Sequence, residues 1–120
     1  MPAPERVEPV LDWAALEVPV PLAGIQAAVG MGAQLSAARF TLAPGAVVPE
    51  HTHENEEFGQ VLRGSLELRW AGGSRVLTAG EAFLLPGGVP HAARALDQGC
   101  DLLECYAPPR MPVPRPDTGD

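Results

Sequence analysis

The chain has 120 residues, 46% of them apolar, and a formal net charge of −7 with no lysine. That length suits one domain with one modest core, and the ordinary apolar content excludes wholesale disorder. The eight arginines are scattered, which excludes the basic stripe that nucleic-acid binding needs and disfavours an anionic membrane surface.

MPAPERVEPV, residues 1–10, is Pro-rich and polar and reads as an extended tail. It carries acids and no apolar signal core, so export is not expected. No run approaches the ~20 apolar residues of a membrane span, and the cytoplasm is the expected compartment. The domain is expected over residues 11–110. LDWAALEVP, residues 11–19, suits one helical turn or an irregular anchor, with Trp13 and Leu16 packed on the domain.

From about residue 24 the chain breaks into short apolar runs, and glycine and proline together supply 27 residues. AARFTL sets Phe40 and Leu42 against Arg39 and Thr41. EEFGQVLRG sets Glu57, Gly59 and Val61 on one face, with Phe58, Gln60 and Leu62 on the other. SLELRW alternates Leu66, Leu68 and Trp70 against Ser65, Glu67 and Arg69. RVLT and AFLLP follow between the turns AGG, AGE and GGVP, and HAARAL and CDLLECYA read as the last strands. In CDLLECYA, Leu102, Glu104 and Tyr106 share one face, either towards a cavity or along an exposed edge. Cys100 and Cys105 fall on opposite faces and cannot pair locally, which fits a reducing compartment. Residues 111–120 form a Pro-rich tail. Runs of 4 to 8 residues between turn signals spell an antiparallel sandwich or barrel, an all-β fold.

Two of the three histidines stand one residue apart in HTHENEE, residues 51–57, and the third, His91, closes PGGVPH. On a strand His51 and His53 share a face, and a bend at ENE would return the Glu57 carboxylate beside them. Three imidazoles and a carboxylate make a first shell for one divalent transition metal, and the set suits Mn, Fe, Ni, Zn, Co or Cu. Glu50, Glu54 and Glu56 read as loop-solvating acids, one of which could brace an imidazole.

The run from Gly45 to Gly64 reads G-x5-H-x-H-x3-E-x6-G, and that from Gly80 to His91 reads G-x5-P-x-G-x2-H. These two runs resemble the paired motifs of the cupin superfamily. Gly45, Gly64, Gly80 and Gly88 stand where strands must turn sharply with positive φ, and Pro86 and Pro90 would stiffen the loop that presents His91. The resemblance implies a jelly-roll, or double-stranded β-helix, barrel holding a metal at His51, His53, Glu57 and His91. Cupins often carry Asn four residues after the last histidine, where this chain has Ala95.

The ending CDLLECYAPPR is similar to that of the small KdgF-type cupins of pectin and alginate breakdown. The likeness extends to Trp13 and Leu16, RFTLAPGAVVPEHTHENEE, GQVLRGSLEL and LPGGVPHAARAL. It implies an isomerase or lyase-type enzyme opening 4,5-unsaturated uronates to linear keto acids, with Glu104, Tyr106 and Arg110 as catalytic residues. Three positions depart from that group: Glu104 stands for Asp, Tyr106 for Phe, and Glu57 where Gln is common. Two other functions share the metal site: an Fe(II)-dependent cupin oxygenase of a small organic substrate, and a non-catalytic module binding metal and a small ligand. The expected partners are a small-molecule substrate and a second copy in a homodimer, with no nucleic acid and no membrane.

Overall fold

The alternating runs become eight strands in the computed structural model, which describes residues 9–113. Of the tails expected at 1–10 and 111–120, residues 1–8 and 114–120 lie outside the described residues. A 3-10 helical turn, Trp13–Leu16, opens the domain, and the Asp12 carboxylate caps it by accepting from the Ala14 N–H. Trp13 and Leu16 are half-buried. The strands are β1 (Glu17–Val18), β2 (Ile25–Met31), β3 (Ser36–Leu42), β4 (Val47–His51), β5 (Glu56–Trp70), β6 (Gly73–Thr78), β7 (Ala82–Leu85) and β8 (His91–Ala107).

Every pairing is antiparallel, in the order β1-β2-β3-β8-β5-β6, with β4 also on β8 and β7 also on β5. The two long strands make the sandwich. The second half of β8 lies between β3 and the first half of β5, while its first half lies between β4 and the second half of β5. One pair of strands therefore serves both layers, as a jelly roll requires.

Here the structure differs from the short runs that the turn signals suggest. EEFGQVLRG and SLELRW are one strand of 15 residues, and HAARAL and CDLLECYA are one of 17. Gly64 and Gly99 both have positive φ, yet pairing continues past them with register shifts. They act as bulges and not as turns.

Alternation holds within the strands. Phe40, Leu42, Val61, Leu66, Leu68 and Leu102 point inward and are buried. Each fully buried side chain of this size contributes roughly 1.5–3 kcal/mol. Strand β2 departs from alternation, with five of seven residues buried; on its outer face the Leu11 side chain packs where a Cβ on Gly30 would project. No helix among the described residues is long and apolar enough to cross a membrane.

Candidate metal centre

The strand ends bring the three histidines together. His51 is the last residue of β4 and His91 the first of β8, and the two are register partners. His53 lies just beyond β4, in the bend that returns the chain to β5, and not on a strand as the His-x-His spacing suggests. The rings still converge. Their centroids are 4.3 Å apart for His51 and His91, 5.0 Å for His53 and His91, and 5.5 Å for His51 and His53. One ligand nitrogen from each lies within 4.8 Å of the other two.

The outer nitrogens set the protonation state. His51 Nδ1 lies 2.9 Å from the Pro49 carbonyl, His91 Nδ1 2.9 Å from the Val89 carbonyl, and His53 Nδ1 3.2 Å from the Asn55 carbonyl. A carbonyl only accepts, so each Nδ1 carries a proton, and a neutral ring then has its lone pair on Nε2. These partners are backbone groups; Glu50, Glu54 and Glu56 are exposed and brace no imidazole.

Glu57, second residue of β5, is buried, with Oε1 2.9 Å from His53 Nε2 and 3.2 Å from His91 Nε2. His91 Nε2 is buried and not aligned for a hydrogen bond with any group. Neutral imidazole nitrogens and a carboxylate oxygen are all acceptors, and acceptors facing one another repel unless a cation or a proton lies between them. The donor set therefore fits a divalent ion held by His51, His53, His91 and Glu57.

Beside this set stand two inward residues of β8. Glu57 is the register partner of Tyr106, and Glu104 is the register partner of Gly59. The Phe83 ring fills the place that a Gly59 side chain would take. Glu104 and Tyr106 are buried, and the Tyr106 hydroxyl donates to Glu104 Oε1. The inward reading of Glu104 and Tyr106 is the one the strand adopts.

Burial, and then the charge of Glu57, push the Glu104 carboxyl well above its ordinary range. Burial also works to raise Glu57, but hydrogen bonds from Glu104 and His53 and the proximity of His91 outweigh it and hold Glu57 below the carboxylate range. One proton thus serves two carboxyls, and Glu104 holds it. Burial above all raises the Tyr106 phenol, which stays protonated. Burial lowers His51 and favours its neutral, ligating form.

Arg110 follows β8 and is half-buried; its field acts on Glu104 and Tyr106. Two residues that the sequence reading did not single out hold this segment. The fully buried Ser36 hydroxyl donates to the Arg110 carbonyl at 2.8 Å and accepts from the Arg110 N–H at 2.9 Å. Asn55, whose carbonyl holds His53, sends its amide to the Pro108 carbonyl at 2.6 Å. A serine opening an apolar strand and an asparagine in a bend carry no sequence signal for these roles. Cys100 and Cys105 are free, the first buried and the second half-buried.

Four known relatives bear on this centre, one a family and three individual proteins. The cupin domain model matches residues 38–103. The pectin degradation protein KdgF of Dickeya dadantii (strain 3937) is 29% identical over 69 residues, 57% of this chain and 63% of that protein. The solved structure of KdgF from Halomonas sp. superposes with a TM-score of 0.69 at 31% identity, covering 73% of this chain and 82% of that one. An RmlC-like cupin from Shewanella frigidimarina NCIMB 400 superposes with a TM-score of 0.78 at 25% identity, covering 88% and 95%.

Proposed function

We propose that this chain, which belongs to the cupin domain family, is a metal-dependent enzyme that moves a proton on a small acid, with the ring opening of a 4,5-unsaturated uronate as its reaction. The observation that carries the reading is a buried carboxyl, Glu104, held by the Tyr106 hydroxyl beside three converging imidazoles. Burial favours the protonated form of such a carboxyl and suits it to move a proton. Similarity to the KdgF proteins of Dickeya dadantii and Halomonas sp. supports the substrate class.

His51, His53, His91 and Glu57 would hold a divalent ion, which when bound would supply Lewis acidity to a substrate oxygen. Ring opening is an isomerisation. A proton leaves the hemiacetal hydroxyl, the bond from that carbon to the ring oxygen breaks, and a proton arrives at the alkene carbon. A single carboxyl that gives and retakes a proton is sufficient for this. Glu104 enters with its proton, held in place by the Tyr106 hydroxyl. Arg110 pairs with the substrate carboxylate.

The test is an NMR time course of a 4,5-unsaturated uronate with metal-loaded protein, with and without chelator. Conversion faster than the spontaneous reaction, and lost on chelation, is expected. No acceleration from metal-loaded protein would remove the uronate and turn attention to oxygen uptake by the Fe(II) form.

A further inference from the structure

The cavity beside the metal centre is more apolar than a proton transfer requires. It encloses about 60 Å³. Five lining residues are polar, and all five belong to the centre already described: His51, Glu57, His91, Glu104 and Tyr106. The other fourteen are apolar. They come from every side, with Phe40 on β3, Leu68 on β5, Phe83 on β7, Leu102 on β8 and Val113 from the segment after β8.

Among the described lining residues, then, every polar side chain is gathered at one end. A hydroxyl pressed on the remaining walls would lose its water without gaining a partner. A hydrocarbon pressed there loses only water that it binds poorly. The division is that of a site for an amphiphile, with the acid at the metal end and the apolar body against the walls.

We propose that the site takes a second class of ligand, carboxylates with an unbranched apolar body, whose head sits at the His51, His53, His91 and Glu57 end. The inference rests on the metal reading of that end and not on uronate turnover. Each methylene buried against the walls tightens Kd about four-fold until the cavity is filled.

The experiment is calorimetric titration of zinc-loaded protein with acetate, butanoate, hexanoate and octanoate, repeated after chelation. The expected result is a Kd that falls with chain length, a heat-capacity change that grows more negative with it, and loss of binding on chelation. Val48→Thr places a hydroxyl of nearly the same shape on the wall, where Val48 is half-buried. It should weaken octanoate several-fold more than acetate. A Kd independent of chain length overturns the inference, and with uronate opening intact it leaves the proposed reaction standing. A chain-length gain without uronate turnover retains this ligand class and removes only the uronate. A gain unchanged by chelation overturns the placement of the head at the metal end.

Discussion

At Glu104 burial and the charge of Glu57 act in the same direction, and both keep the proton on the carboxyl. Glutamine keeps the shape and removes the proton. Glu104→Gln is therefore expected to lower kcat/KM for the uronate roughly 10²–10⁴-fold, with metal content unchanged by elemental analysis. Turnover at the native rate would remove Glu104 from the mechanism. The same residue predicts a pH dependence. Its folded pKa lies above the ordinary 4.5, so the folded state binds more protons than the unfolded state once pH passes that value. Its contribution is fully present below 4.5 and is lost as pH rises towards the folded pKa. Its share of the stability of metal-free protein should fall over that window, read in urea titrations as the difference between the native chain and Glu104→Gln. The convergence of His51, His53, Glu57 and His91 was legible because their types and spacing are rare together; for Glu104 and Tyr106 alternation gave a shared face but not which side it takes. Ser36 and Asn55 were not legible. Their partners are backbone groups more than fifty residues away, and no local pattern encodes such a pairing.

At the scale of the element, the sequence pattern located the turns after β5, β6 and β7 but cut β5 and β8 in two. Glycine carries a turn signal in sequence whether the chain reverses there or only kinks. What decides between them is long-range pairing, and here Gly64 pairs with Cys100 across the interface of the two long strands. Space is tightest at that point: a Cβ on Gly64 would lie 2.0 Å from the Gly99 carbonyl oxygen, in a residue with φ of 77°. Gly80 has a φ of 92° with nothing within 4 Å of its Cβ position. The two glycines separate conformational strain from collision. Gly80→Ala carries the left-handed penalty alone, roughly 1–2 kcal/mol. Gly64→Ala adds a backbone clash at the kink shared by both layers, and is expected to cost roughly 3–5 kcal/mol. Urea unfolding of both variants measures the difference, and equal losses would contradict the close-packed kink.

For the whole molecule, the four metal-facing residues matter because of where their strands go. His51 and His91 sit on the layer in which β4 pairs with the first half of β8. Glu57 sits on the other layer, where the first half of β5 pairs with β7 and the second half of β8. An ion bound by all of them would clasp the two layers at the open end of the barrel. Without it, the contacts of Glu57 with His53 and His91 need a proton between the carboxylate and each ring nitrogen. Metal bound only by the folded state adds RT ln(1 + [L]/Kd), about 2.7 kcal/mol at a hundred-fold excess over Kd. For a domain of this size that raises Tm by roughly 10 °C. Scanning calorimetry with zinc and after chelation should show this shift in the native chain. In His91→Ala, which removes the nitrogen that joins β8 to the site, the two curves should nearly coincide. A full shift surviving in that variant would place the metal elsewhere, and with it would fall the clasp between the layers and the acid–base roles built upon it.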